Sequence, residues 1–187
     1  MKAAIAAAVI TIGLTTSPMA ADLEQSIADS RAAIKEFAGT LKEALQTAMR
    51  EGGPVAAISV CNTQAPEIAA AASANHDLDV GRTSLKLRNP ANAPDAWEKG
   101  VLLSFEKRLE AGQDPATIDQ AEIVTENGKK VFRYMKAIPT AGLCLACHGT
   151  DIAPEVTAKL DELYPEDQAR GFSIGDIRGA FTIRRPL

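Results

Sequence analysis

The five residues Cys144-Leu145-Ala146-Cys147-His148 constrain this chain more than any others. Cys-x-x-Cys-His is the pattern at which haem is attached covalently. Its two thiols add across the haem vinyl groups as thioethers, and the histidine is then held beneath the iron as proximal ligand. The expected cofactor is therefore one haem c, bound through Cys144, Cys147 and His148. A structural zinc site would need about four Cys or His ligands, and outside the motif the sequence offers only Cys61 and His76. A thioredoxin-like pair would sit near a βαβ unit. Here His148 follows the second cysteine directly and the helix-breaking Gly149 comes next.

Haem is attached to such motifs outside the cytosol, and the N-terminus agrees. Lys2 supplies a positive start, residues 3–14 form an apolar run, and Ser17-Pro18-Met19-Ala20-Ala21 offers small residues for cleavage. Residues 1–21 are therefore expected to be a signal peptide, and 22–187 a single domain exported to the periplasm or otherwise secreted. The apolar run is shorter than the ~20 residues that a membrane-spanning helix requires, so no membrane association is expected after cleavage. With Lys2 removed, 19 basic side chains face 24 acidic ones, a balance of about −5. That excess argues against a nucleic-acid partner.

Residues 22–50 are helical in pattern, with Leu23, Ile27, Ile34, Phe37, Leu41, Ala44 and Ala48 at heptad-like positions and a stop at Gly52-Gly53-Pro54. At ~1.5 Å per residue this helix is about 43 Å long. It either forms a homodimer or lies across the rest of the fold. Helical sequence continues over 54–75, with Ile58, Cys61, Ala65 and Ile68 on one face and Pro66 kinking it or starting a second helix. Leu78 and Val80 mark a short strand. The proline- and asparagine-rich 87–94 is a loop, with Asn92 as candidate cap of the next helix and Trp97, Val101, Phe105 and Leu109 along one side of it. Residues 121–138 read as a hairpin about Asn127-Gly128, which sets Glu126 opposite Lys129, Val124 opposite Val131 and Glu122 opposite Arg133. After the motif come a short helix with Val156, Leu160 and Leu163, closed by Tyr164-Pro165, and a last strand turning Ile177, Gly179, Phe181 and Ile183 inward.

A small electron-transfer cytochrome c usually carries its motif near the N-terminus and takes a later Met as second ligand. Here only 39 residues follow the motif, and they contain neither Met nor His. A cytochrome c′-like bundle has no place for the hairpin or the final strand. Other matches run along the chain: Val60-Cys61 with Ala65-Pro66 and Ile68-Ala69; Arg88-Asn89-Pro90-x-Asn92-x-Pro94 through Trp97-Glu98; Cys144-x-x-Cys147-His148-Gly149; Tyr164-Pro165 with Asp167 and Gly171; and Gly175-Asp176-x-Arg178-Gly179-Ala180. On these residues the chain resembles the secreted monohaem c-type proteins with a PAS-like fold. The resemblance implies an α+β, PAS-like central antiparallel sheet flanked by helices, with the haem between the sheet, the N-terminal helices and the motif loop. It also implies a cysteine thiolate opposite the proximal histidine, at the position of Cys61.

Composition leaves Cys61, His76, Met49 and Met135 as ordinary candidates for that sixth ligand. Met135 sits in a strand and Met49 near a helix end, both readable as packing. His76 lies between Asn75 and Asp77 and reads as a solvated or capping residue. Cys61 is an odd cysteine in an oxidising compartment, where something must hold it. A His148/Cys61 pair would favour ferric iron. Loss of Cys61 on reduction would free a position for CO or NO and release the helix that carries it, which describes a redox or gas sensor. The competing class is a monohaem electron carrier, and nothing in the sequence argues for an enzyme. Arg82, Arg88 and Arg178 are candidates to pair the haem propionates.

Overall fold

The computed structural model describes residues 18–187. The leader expected at 1–21 lies outside the described residues except for its last four, which open the first helix. None of the described helices is long and apolar enough to cross a membrane.

Helix α1 spans Pro18–Ser59 and is broken at Gly53 (φ 70°, ψ −168°). The stop expected at Gly52-Gly53-Pro54 is therefore a kink. Glycine takes a positive φ at little cost, and Pro54, which has no N–H, suits the first turn of the helix that resumes. Before the kink α1 lies across the sheet, burying Ala33, Ile34 and Phe37 with Leu23, Ile27 and Leu41 beside them. These residues carried most of the heptad pattern, so the face on which a helix-mediated dimer would rest is covered by the chain's own sheet.

Beyond the kink a π-turn, Val60–Gln64, leads into α2, Ala65–His76, with Pro66 in its first turn. A π-turn closes over one more residue than an α-turn, which splits the face expected to be continuous. Ile58 packs with Val156, Leu160 and Tyr164, Ile68 packs against the α1 cluster, and Cys61 between them lines a cavity.

The sheet is antiparallel in the order β1-β4-β3-β2, where β1 is Asp79–Thr83, β2 Asp119–Glu126, β3 Lys129–Pro139 and β4 Ile177–Pro186. The α+β, PAS-like arrangement expected from the resemblance is what forms. The β2–β3 hairpin has the expected register, Glu126 opposite Lys129, Val124 opposite Val131 and Glu122 opposite Arg133. Asn127 (φ 50°) and Gly128 (φ 76°) supply the two positive φ values that a two-residue type I′ turn demands. Arg133, though, does not pair with Glu122. It is buried beneath the helix on that face of the sheet and gathers Asp95, Glu98 and Glu126, its guanidinium 4.7 Å from the centre of the Trp97 ring. Glu122 instead accepts a hydrogen bond from Trp97 Nε1 at 2.8 Å.

That helix, α3 (Ala96–Glu110), packs Val101, Leu102 and Phe105 against Met135, Ala137, Ile177 and Ala180. Its cap is Asp95, not Asn92. Asp95 Oδ1 accepts from the Glu98 N–H (2.8 Å) while Glu98 Oε2 accepts from the Asp95 N–H (2.9 Å). This reciprocal pair satisfies two helix-end donors where a lone Asn would satisfy one. Asn92 belongs to a short 3-10 turn capped by Asn89. In β4 the ladder slips: Ile138 faces Gly179 and Pro139 faces Ile177, leaving Arg178 as the extra residue of a bulge. The bulge turns Ile177 to the α3 side, whereas Phe181 and Ile183 pack on the α1 side. The single inward row expected for β4 is broken there. Two short helices, α4 (Leu145–His148) and α5 (Pro154–Leu163), complete the fold.

Candidate functional site

After β3, Thr140 is tied back by its N–H to Asp176 O (2.8 Å), and a 3-10 turn, Gly142–Cys144, runs straight into α4. One helical turn places Cys144 and Cys147 three residues apart on the same side, with His148 next. The turn ends at Gly149, whose backbone is extended, and glycine is required there because a Cβ would lie 2.7 Å from Leu145 O. The loop 169–172 then pairs with the motif backbone: Gly171 N–H donates to Gly149 O and Phe172 N–H to His148 O, both at 2.9 Å.

His148 Nδ1 lies 2.7 Å from Ala169 O and 3.1 Å from Arg178 Nε, and its Nε2 lies 3.4 Å from Arg88 Nη1. A neutral imidazole has one acceptor nitrogen, so it cannot accept from both Arg178 and Arg88. With the proton on Nδ1, the shortest contact becomes a donor–acceptor bond to Ala169 and Nε2 keeps its lone pair. With the proton on Nε2, a lone pair would face the Ala169 carbonyl. The first tautomer is therefore the favoured one, and a backbone carbonyl holding Nδ1–H is how metal-ligating imidazoles are commonly oriented. Burial, reinforced by Arg178 and Arg88, pushes the His148 pKa down to about 3, so the ring is neutral.

The three candidate arginines have different surroundings. Arg88 holds Asp167 with two bonds (Nε to Oδ1 and Nη2 to Oδ2, each 3.1 Å) and also donates to Cys147 O (2.6 Å) and Ala169 O (3.2 Å). Its Nε and Nη2 donors are engaged by the protein, leaving Nη1 toward His148, and its evident work is to clamp the motif onto the 167–169 loop. Burial alone would raise the Asp167 carboxyl, but hydrogen bonds from Arg88 and Arg170 outweigh it and hold it below the usual range. Arg178, aimed by its bulge, bonds Ser84 Oγ (3.0 Å) and Lys86 O (3.3 Å), and burial lowers its pKa to about 10. Arg82 stacks 5.4 Å from the Phe37 ring centre and lines the same cleft as Cys61, and burial lowers its pKa. Neither Arg82 nor Arg178 has a carboxylate partner among the described residues.

Cys61, Arg82, Arg88, Cys144, Cys147, His148 and Arg178 all line one cleft of about 1150 Å³, part of it open to solvent. The sheet contributes Thr83, Ile138 and Gly179, and α1 contributes a row of Leu41, Leu45 and Met49. Met49 is thus on the cleft wall and not in the packed interior where the sequence reading put it. Met135 is fully buried under α3 as expected. His76 lies outside the cleft, with Nε2 2.9 Å from Glu36. Two residues that organise the site were missed as such: Asp167, the anchor of Arg88, and Tyr164, which packs with Ile58 beside Cys147. Asp167 was visible only as a matched position next to Tyr164-Pro165, because a buried partner 79 residues from Arg88 leaves no periodic trace. Two thiols and a neutral imidazole on one turn, a third thiol in the same cleft and two guanidinium groups without carboxylates form a donor set that fits a haem held through its edge and its propionates.

A family model described as Tll0287-like matches residues 17–186. No curated protein matches the chain. Among solved structures, the crystal structure of the cyanobacterial heme-protein Tll0287 is similar at 23% identity and a TM-score of 0.64, covering 92% of this chain and 98% of that one. At that identity the likeness speaks for the fold.

Proposed function

This chain belongs to the Tll0287-like family, and from that premise we propose that it is an exported c-type haem protein that senses redox state or a diatomic gas through loss of a cysteine ligand. The similar solved structure is described as a heme-protein, which supports the cofactor. The apolar N-terminal run supports export. Bound haem would supply a one-electron couple and, once a ligand departs, a position for CO or NO.

Cys144 and Cys147 would form the thioethers, and His148, kept neutral and oriented by Ala169, would bind through Nε2. Arg88, fixed by Asp167, holds the motif turn in place. Arg82 and Arg178 are the arginines to which the propionates are assigned, since Arg88 already has Asp167 as its carboxylate partner. Cys61 would be the second axial ligand. The observation that carries the reading is that the one cysteine outside the motif stands on the wall of the same cleft as His148, on a π-turn, a helix irregularity found often at functional sites. A thiolate there would favour ferric iron, and its release would free the segment between the Gly53 kink and α2. No residue set at the site argues for catalysis.

The test is the Cys61→Ala variant of exported, pigmented protein. The wild type should show the narrow low-spin ferric EPR spectrum of thiolate ligation and the variant should lose it; unchanged ferric spectra would end the reading. A carrier with two tight ligands would resist CO on reduction, whereas a sensor admits it.

A further inference from the structure

We propose that Met49 is a second, reduction-specific axial ligand, so that the site exchanges the Cys61 thiolate for the Met49 thioether when the iron gains an electron. This rests on the His148/Cys61 reading above and specifies how the switch is completed. In a straight helix residues 49 and 61 would be about 18 Å apart along the axis. The kink at Gly53 and the π-turn at Val60–Gln64 intervene, and both residues come to line the same cleft as His148. Met49 continues the α1 row of Leu41 and Leu45 on that wall, and its side chain is half-buried, whereas Met135 is wholly enclosed under α3.

The chemistry gives the exchange its direction. Thiolate, an anionic donor, stabilises ferric iron, while neutral thioether sulfur favours the ferrous state. One electron from a one-electron donor goes to the iron. Cys61 Sγ leaves with its electron pair as a thiolate, and Met49 Sδ supplies a lone pair to the position it vacates. One iron–sulfur bond breaks and one forms, with no other atom transferred. Arg82, which lines the same cleft as Cys61 and has no carboxylate partner among the described residues, supplies a countercharge for the released thiolate. Each oxidation state thereby has its own ligand, the Cys61 segment is untethered only in the reduced one, and CO enters there by displacing the neutral thioether.

The experiment uses exported, haem-loaded wild type and the variants Met49→Leu and Cys61→Ser, with dithionite as reductant. Ferrous wild type should be six-coordinate and low-spin, with a ring-current-shifted methionine methyl far upfield in its proton NMR spectrum. Met49→Leu should keep the wild-type ferric EPR spectrum, lose the upfield methyl and the six-coordinate ferrous signature, and bind CO without a displacement phase. A five-coordinate ferrous wild type, or a ferrous spectrum unaltered by Met49→Leu, overturns the proposal. The NMR signal needs no variant, so a Leu variant that fails to load haem still leaves a decision. Failure of the Cys61 reading is separate: it is seen in a ferric spectrum that Cys61→Ser does not change.

Discussion

Asp167 is the residue on which the motif's position rests. Its side chain is 1% exposed and Arg88's is 8% exposed. A buried guanidinium left without its carboxylate costs about 3–5 kcal/mol. Asp167→Asn should therefore lower stability by roughly that amount, read as a shift of the urea midpoint, and should reduce the yield of pigmented protein because Cys147 loses its clamp. The pH dependence follows from the same group. A carboxyl whose folded pKa lies below its unfolded one contributes stability that is present above about pH 4 and is lost as pH falls through the folded value. The wild type should weaken over that acid range, and the Asn variant should show a smaller decline. An equal decline in both would mean that the pair is not formed as described.

At the level of elements, the site depends on three irregularities: the Gly53 kink, the π-turn and the β4 bulge. Each interrupts a regular repeat so that a side chain outside that repeat reaches the cleft. The bulge also needs room. At Gly179, where β4 passes the end of β1, an added Cβ would stand 2.4 Å from Thr83 O. Gly179→Ala should force the two strands apart at a cost of about 1–3 kcal/mol. It should disturb Arg178 and Ser84 more than the hairpin. Amide hydrogen exchange would show this as lost protection in β1 and β4 with β2 unaffected; a uniform loss would count against a local clash.

On the scale of the whole molecule, two apolar layers enclose the sheet, and a third cluster of Ile58, Val156, Leu160 and Tyr164 ties the kinked end of α1 to α5 and to Cys147. The long helix thus belongs to the core, and its far end forms part of the cleft wall. Truncating Phe37, which is 1% exposed, should cost about 3–5 kcal/mol. The urea midpoints of wild type and Phe37→Ala should not depend on protein concentration, because the helix face is buried within one chain. A midpoint that rises with concentration would restore the dimer interpretation of the heptad pattern.

By itself the sequence determined what is local: the turn that carries Cys144, Cys147 and His148, the hairpin with its register, the loop at 87–94, and the two sequential elements after the motif. Spacing of two to four residues governs these, so the information lies within a few positions of where it acts. Resemblance across scattered motifs added the sheet architecture and pointed to Cys61. Tertiary structure alone decided which of the chemically similar residues meet. Arg88 is engaged by Asp167 while Arg82 and Arg178 have no carboxylate, Met49 joins the cleft while Met135 is enclosed, and a heptad face becomes core. Each of these depends on contacts between residues distant in the chain, and on kinks and bulges that shift a face by a fraction of a turn, which no periodicity in the sequence encodes.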